Sequence, residues 1–334
     1  MQRRDASRNP LLIVLLFAVI ITATVFGGPA ARRALNPVGN EQIVVVLKTI
    51  GPDMEFWQVV RAGIQVAAAE FGVEPVIVGP RWERDIERQM EILAEVIEDA
   101  PDAILLAASD FNRLAPLAEE AASRGITVVT LDSALNSTVP VSFVATDNVR
   151  AGRKAGEEIR SLVPATQDIA LISHIPGVAT AIEREEGVLQ ALQAWGPGRV
   201  IGTFYAENDP DIAFQIMADL LERYPNLGGI VALNENSTVG AGRAIRDIAG
   251  DRVIRIVGFD NSQEEIQFLE RGIVNALVVQ KPFNMGYLGI KTTVHALRGV
   301  PVAPIIHTDS VLVRRDEIFT EENQRLLFPL VQPR

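Results

Sequence analysis

Short apolar runs alternate with longer amphipathic stretches along most of the chain. Residues 43–47 form a continuous apolar run (IVVVL), typical of a strand that is buried on both faces of a sheet. In the next stretch Phe56, Val60 and Ile64 recur at helical spacing, which predicts a helix that ends at Gly72. Because this pair of patterns repeats through the chain, we predict an α/β protein with parallel sheets and right-handed crossovers.

The number of predicted strands indicates two lobes. The repeat contains about eleven or twelve strands, too many for one compact doubly wound sheet. We therefore predict two doubly wound parallel-sheet lobes, and 334 residues are enough for two domains of roughly 100–200 residues each. A closed barrel of eight strand–helix units is the alternative, but the strand number is too high and a turn near residues 133–147 interrupts the repeat.

The first 40 residues differ from the rest of the chain. Three arginines among the first eight residues precede an uncharged stretch, residues 9–31, that ends in small residues (GGPAA). This order is typical of a secretory signal, and the stretch is also long enough to span roughly 30 Å of hydrocarbon. Residues 1–40 are therefore predicted to be a signal peptide or a retained membrane anchor. Either one places the rest of the chain outside the cytoplasm, with membrane contact through this segment only.

Composition excludes several classes of function. The chain has no cysteine, which removes disulfides, thiolate catalysis, thiolate metal sites and a lipid-anchor cysteine. A net charge of −11 disfavours binding to nucleic acid through phosphate neutralisation. No phosphate-binding loop or hydrolase motif occurs, and Gly240 and Gly242 lie inside a predicted helix, where they predict close helix packing. We therefore expect no cofactor and no metal.

Ligands of open parallel sheets bind beyond the carboxyl ends of the strands. In this chain those ends are mainly carboxylates and amides, Arg and Lys are nearly absent, and an aromatic pair is nearby; the residues are Phe56, Trp57, Asp110, Asp132, Asp147, His174, Asn234, Asp260 and Gln280. Such groups bond to neighbouring hydroxyls, and flat rings pack on the C–H face of a sugar. This pattern favours a neutral polyol over a phosphate. The alternative is that each Asp or Asn merely caps the next helix.

The motifs at these strand ends resemble a known family. They occur in the family's order, over about residues 42–314, as MEFWQ (54–58), PDAILL (101–106), GITVVTLDS (125–133), ATDN (145–148), EREEG (183–187), NE (234–235), VGFD (257–260) and VQKP (279–282). Together they resemble the ribose-binding class of type I extracytoplasmic solute-binding proteins.

The resemblance implies a set of ligand-binding residues. By position in the motifs these are the aromatic pair Phe56 and Trp57, the first-lobe carboxylate Asp132, the helical Arg184, the amide Asn234, the second-lobe carboxylate Asp260 and the hinge amide Gln280. We expect Trp57 to face the cleft and not the core.

The chain also departs from the ribose binders of this family. Met54 replaces an asparagine, Ser133 replaces an arginine, and Asn208 stands at about the place of a third aromatic residue. These departures leave another pentose, a hexose or a polyol open as the ligand. Asp110 would compensate by adding a carboxylate at the same rim.

The resemblance also implies a three-crossing hinge between two lobes, residues 41–146 plus 281–309 and residues 147–280 plus 310–334, that close on the ligand. It implies a monomer without enzymatic activity that delivers its ligand to the permease of an ABC transporter.

Three alternatives for the function stay open. One is a sugar-sensing input protein for a membrane sensor kinase. Another is a regulator's effector domain, although an apolar segment stands where a helix-turn-helix is needed. The third is a sugar hydrolase using Asp132 and Asp260, although nothing supplies an activated nucleophile.

Overall fold

The computed structural model describes residues 41–52, 54–193 and 200–328. The predicted signal or anchor segment, residues 1–40, lies outside these ranges. Within them, no helix combines the length and the apolar character that a membrane crossing requires.

Two six-stranded sheets form the framework. The strands of the first sheet are β1 (Ile43–Val46), β2 (Val76–Val78), β3 (Ala103–Leu106), β4 (Thr127–Leu131), β5 (Ser142–Thr146) and β11 (Ile305–Thr308). The strands of the second sheet are β6 (Asp168–Ser173), β7 (Val200–Tyr205), β8 (Leu227–Ala232), β9 (Arg255–Phe259), β10 (Ala276–Val279) and β12 (Val311–Arg314). Their orders, β11-β5-β4-β3-β1-β2 and β12-β10-β9-β8-β6-β7, give every strand a counterpart at the same place in the other sheet.

Helices cover both faces of each sheet. Those on the first sheet are α1 (Glu55–Phe71), α2 (Ile86–Glu98), α3 (Ala115–Ser123) and α9 (Pro282–Leu297). Those on the second sheet are α4 (Asn148–Leu162), α5 (Ala179–Leu192), α6 (Pro210–Arg223), α7 (Glu235–Ile248), α8 (Gln263–Arg271) and α10 (Glu321–Leu327). The prediction of two α/β lobes is confirmed, and the closed barrel is wrong because both sheets are open.

Strand β12 differs from the prediction of parallel sheets, because it runs antiparallel to β10. Its neighbour in sequence, β11, pairs parallel with β5 and therefore ends at the carboxyl edge of the first sheet. Only residues 309–310 separate the two strands. The chain leaves the carboxyl edge of the first sheet and enters the second sheet at its facing carboxyl edge. For this reason β12 runs opposite to the parallel strands beside it. The sequence did not predict β11, which directly follows Pro304 and is largely exposed.

The described chain passes between the sheets after β5, after β10 and after β11. Helix α4 follows β5 of the first sheet but packs on the second, and α9 follows β10 of the second sheet but packs on the first. Each sheet is therefore covered in part by a helix that follows, along the chain, a strand of the other sheet. On these connections we propose lobes of residues 41–146 with 281–309 and residues 147–280 with 310–334.

Helices α1 and α9 approach each other so closely that only glycine fits between them. A Cβ atom at Gly63 would lie 2.1 Å from the carbonyl oxygen of Phe283, and one at Gly286 would lie 2.0 Å from that of Val60. Because the obstructing atoms belong to the backbone, a side chain could be accommodated only by moving a helix. This contact fixes the position of α1, the helix that begins with the predicted aromatic pair.

A similar contact explains the glycines of α7. A Cβ atom at Gly240 would lie 2.3 Å from the carbonyl oxygen of Pro210, the first residue of α6. The prediction that this motif serves helix packing is confirmed.

Replacing Gly63 by alanine tests the contact between α1 and α9. At an unhindered helical position this change stabilises a protein by up to about 1 kcal/mol. Here we expect the opposite sign, a loss of about 1–3 kcal/mol in the free energy of unfolding, because the added methyl group overlaps the backbone of α9. Urea unfolding measures the difference, with Gln65→Ala on the exposed face of α1 as the control. A more stable Gly63→Ala variant would contradict the close approach.

Candidate functional site

A small cavity of about 30 Å³ lies where the carboxyl ends of the two sheets face each other. Its lining comes from both lobes: Lys48, Met54, Phe56, Trp57, Glu83 and Asp132 on one side, His174, Thr180, Arg184, Asn234 and Asp260 on the other, and Gln280 at a connection between them. None of these residues is more than 8% exposed. A ligand can therefore enter or leave only if the lobes move apart.

Seven of the eight residues predicted for the site line this cavity, and Asp110 does not. The Asp110 carboxylate accepts hydrogen bonds from the backbone N–H groups of Asn112 and Arg113, at 2.8 and 2.7 Å. It stabilises a turn next to Gly177, whose carbonyl oxygen accepts a hydrogen bond from the N–H of Phe111. Asp110 thus lies at a contact between the lobes but outside the cavity lining.

The aromatic pair occupies the first turn of α1. The rings of Phe56 and Trp57 meet edge to face, with centroids 5.1 Å apart and planes at 88°. Trp57 lines the cavity and also packs in the core of the first lobe with Val60. The expectation that it stands apart from the core is wrong, because its ring is large enough to belong to both.

Asp132 and Asp260 occupy equivalent positions, directly after β4 and β9, with φ values of 64° and 78°. A residue other than glycine is uncommon in this left-handed region, although aspartate tolerates it better than most. Such conformations persist where the surroundings hold them, and they concentrate at functional sites. Here the turn leaves each carboxylate at the carboxyl edge of its sheet, next to the cavity.

Each of the two carboxylates has protein partners. The Asp132 carboxylate lies 2.7 Å from the Lys48 ammonium. The Asp260 carboxylate accepts hydrogen bonds from the Gln280 amide at 2.6 Å and from the backbone N–H of Glu235 at 3.0 Å. Burial raises the pKa of Asp260, and the charge of Arg184 opposes that rise.

Two charged residues of the cavity were missed by the sequence reasoning. Lys48 follows β1 and contacts both Asp132 and, at 3.6 Å, Glu83. Glu83 comes from the loop after β2, and its carboxylate accepts a hydrogen bond from Asn208 of the second lobe at 2.9 Å. The place of Lys48 at a strand end was a signal for its role, whereas no motif marks Glu83. Burial raises the pKa of Glu83, and the Lys48 charge opposes this.

Arg184 is buried with its guanidinium group already engaged. It donates hydrogen bonds to the side-chain oxygen of Asn148 at 2.9 Å and to the carbonyl oxygen of Leu233 at 2.8 Å. The same group lies 4.7 Å from the centre of the Phe259 ring. The position of Arg184 is therefore fixed by protein contacts.

Asn234 both caps a helix and lines the cavity, the two roles that the sequence left open for residues at strand ends. Its side-chain oxygen accepts a hydrogen bond from the N–H of Ser237 and so caps α7. Its amide group lines the cavity and donates to Asn208 at 2.6 Å. Capping a helix and facing the cleft are thus compatible at a strand end.

Two cavity residues have polar atoms that bond to no described part of the protein. Nε2 of His174 pairs with the Thr180 hydroxyl at 3.0 Å, while its Nδ1 and Oε1 of Gln280 have no partner among the described residues. Burial, together with the charges of Arg184 and Lys48, holds the pKa of His174 well below its usual range. The neutral ring and the amide oxygen are available to hydroxyl groups of a ligand.

Fold and cavity together define a two-lobed protein that encloses a small polar ligand between its lobes. A family model described as periplasmic binding protein domain matches residues 43–300. The chain therefore belongs to this family.

Relatives and solved structures agree with that assignment. The chain is 26% identical to a D-ribose/D-allose-binding protein of Pseudomonas aeruginosa, over 89% of this chain and 93% of that protein. It is 29% identical to a carbohydrate transporter solute-binding protein from Agrobacterium radiobacter in complex with D-arabinose, with a TM-score of 0.81 over 86% of this chain and 99% of that one. An ABC transporter solute-binding protein from Agrobacterium vitis with bound D-fucose is 30% identical, with a TM-score of 0.82 over the same shares.

Behind the cavity, Glu235 provides a test of the electrostatics. Burial and then the charge of Asp260 raise its pKa from 4.5 to about 8. Because the folded state holds this proton more tightly than the unfolded state, the stability it adds is fully present below pH 4.5 and is lost as the pH rises through about 8. Relative to Glu235→Gln, we expect the native protein to lose free energy of unfolding over this window, by at most about 1.4 kcal/mol per pH unit.

Urea unfolding at a series of pH values measures this slope, with Glu74→Gln at an exposed site as the matched control. His174, which acts in the opposite direction, is present in every variant and cancels in the comparison. Parallel curves for the native protein and Glu235→Gln would contradict the raised pKa.

Proposed function

We propose that the protein is a monomeric extracytoplasmic binding protein that encloses a neutral monosaccharide or polyol and delivers it to the permease of an ABC transporter. The observation that carries this proposal is the state of the two cations in the cavity. Lys48 is paired with Asp132, and Arg184 is bound to Asn148 and a carbonyl oxygen. These two cations share the cavity with three carboxylates, Glu83, Asp132 and Asp260, so an anionic ligand would meet no net positive charge there.

The residues around the cavity suit the parts of a sugar. Phe56 and Trp57 present flat apolar surface to the C–H groups of the ring. The carboxylates of Asp132 and Asp260 accept hydrogen bonds from hydroxyl groups, and the amides of Asn234 and Gln280 can donate or accept. Since the two lobes contribute different groups, only the closed form completes the hydrogen bonding.

The family and the named relatives support a transport role. Ligands named for similar proteins include D-ribose, D-allose, D-arabinose and D-fucose. All are neutral monosaccharides, and this shared chemistry agrees with the lining of the cavity. These four sugars, together with xylitol, named for a relative from Mycolicibacterium smegmatis, are the first ligands to test.

Ligand charge is the first test. Neutral sugars that bind should raise the melting temperature, corresponding to about 2.7 kcal/mol at a concentration one hundred times Kd. The phosphate ester of the same sugar should give no stabilisation, since the cavity holds three carboxylates against two cations. A thermal-shift screen of free sugars, polyols and matched phosphates measures both. A phosphate that stabilises more than every free sugar would overturn the proposal.

Asp260 is the better residue for testing the site, because Trp57 also belongs to the core. Asparagine tolerates the left-handed backbone there, so Asp260→Asn removes the charge with little strain. We expect its affinity for the best sugar to fall about 10–150-fold, the loss of one charge-assisted hydrogen bond. Isothermal titration calorimetry measures this, with Asp251→Asn at the surface as the control. Equal affinity in both variants would remove Asp260 from the site.

Location is tested separately. We expect residues 41–334 outside the cytoplasm, either released near residues 30–33 or held by the apolar segment 11–26. Mass spectrometry of the mature N-terminus distinguishes these two forms. In cells whose outer layers are opened but whose cytoplasmic membrane is intact, added protease should reach the protein. Protection until that membrane is lysed would contradict both forms.

A further inference from the structure

Helix α1 begins without a cap from its own N-cap residue. Met54 occupies that position and makes no side-chain hydrogen bond to the helix. The first N–H groups of any helix lack partners within the helix, and buried donors without an acceptor are costly. The start of α1 is buried at Phe56, so its N–H groups need an acceptor from elsewhere.

That acceptor comes from the opposite lobe. The two carboxylate oxygens of Glu235, the first residue of α7, accept hydrogen bonds from the N–H groups of Glu55 and Phe56, both at 3.2 Å. Glu235 is 4% exposed, so this contact is shielded from water. Above about pH 8, where Glu235 is ionised, its charge also interacts favourably with the dipole of α1.

A second, weaker contact runs in the reverse direction. The carboxylate of Glu55 in the first lobe accepts a hydrogen bond from the N–H of Gln263, the first residue of α8, at 3.2 Å. Glu55 is exposed, so solvent weakens this bond. Each lobe therefore supplies a glutamate to a helix start of the other, and the buried Glu235 carries the greater share.

Glu235 also connects this contact to the cavity. Its backbone N–H donates to the Asp260 carboxylate at 3.0 Å, and Phe56, whose N–H it binds, lies in the cavity wall opposite. One residue thus touches a carboxylate group of one lobe and the start of the aromatic pair in the other. The two bonds from Glu235 to the start of α1 exist only while the lobes are closed.

We infer that Glu235 is a positioning residue for ligand binding, which holds the lobes closed and fixes the aromatic pair of α1 opposite Asp260. The inference rests on the proposed function for its ligand measurements only. Because the contact joins protein to protein, it has to break before a bound ligand can leave, and it acts against opening even without ligand. Its removal should therefore speed ligand dissociation and leave association unchanged.

Stopped-flow measurement of the tryptophan fluorescence of the full chain, to which Trp57 in the cavity wall contributes, separates the two rates with the best sugar from the screen. We expect Glu235→Ala to raise the dissociation rate about 10–100-fold, corresponding to two hydrogen bonds, and to change the association rate less than about twofold. Glu235→Gln retains one acceptor and should recover most of the effect. Glu55→Ala should raise dissociation about two- to fivefold, as expected of an exposed contact.

Arg84→Ala is the matched control. It removes another ion pair between the lobes, Arg84 with Asp209 at 2.9 Å, but both side chains are partly exposed, 43% and 29%. We expect at most about a twofold change, because exposed pairs contribute little. If Glu235→Ala slows association while dissociation stays unchanged, or matches Arg84→Ala in both rates, the inference is overturned.

A measurement without ligand keeps this test independent of the proposed function. The chain has no cysteine, so cysteines introduced at the exposed positions Asp99 and Glu222, one in each lobe, can carry spin labels at defined sites. Pulsed dipolar spectroscopy should then show that Glu235→Ala shifts the ligand-free distance distribution away from the closed form, whereas Arg84→Ala does not. Identical distributions would overturn the inference. Failure of every sugar to bind would overturn the proposed function and leave this measurement valid.

Discussion

Burial of charge between the two lobes is the constraint on which the cleft depends. Two cations and three carboxylates line a cavity whose residues are almost fully shielded from water. An unpaired charge in such a place would cost several kcal/mol, of the order of 3–5 kcal/mol when a partner is removed. The structure meets this requirement within each lobe. Lys48 pairs with Asp132 in the first lobe, and in the second Arg184 is hydrogen-bonded to neutral oxygen atoms and its charge acts on Asp260. Each half of the wall is therefore substantially satisfied by itself, and the lobes can part without leaving isolated charges.

The contacts that cross the cleft have a different character. They consist of a few bonds at helix starts and loops, such as Glu235 with the first turn of α1 and Asn208 with Glu83. Such bonds are few enough to exchange with water when the lobes open, and specific enough to define one closed arrangement. The rigid parts are the lobes themselves, in which close contacts through Gly63 and Gly286 hold α1 in place. Movement of the lobes thus depends on bonds whose residues also line or adjoin the cavity, such as Glu83 and Glu235.

The sequence predicted the features that follow from periodicity and from strand ends. Buried strands such as β4 (TVVTL) are short runs of β-branched and apolar residues, and the residue after such a run, Asp132 for example, lies at the carboxyl edge where ligands bind. It did not predict β11, whose four residues (IIHT) are too few to show a pattern, or Glu83, which reaches the cavity from a loop that no motif marks. Asp110 shows that a position at a strand end does not by itself place a side chain in the cavity. A residue at a strand end can serve a turn, and only three-dimensional packing decides between the two.

The exchange of helices between the lobes has a consequence for synthesis of the chain. Gly63 of α1 packs against α9, whose contact residue Gly286 lies 223 residues later. At a translation rate of about 5–20 residues per second, about 10–45 s pass between the synthesis of Gly63 and that of Gly286. During this time the apolar face of α1 has no α9 to pack against. The first lobe therefore cannot finish its core while the second is being made, although its sheet begins only 42 residues into the chain. A nascent chain of this design remains unfinished for most of its synthesis, which leaves export machinery and chaperones time to bind it before it folds.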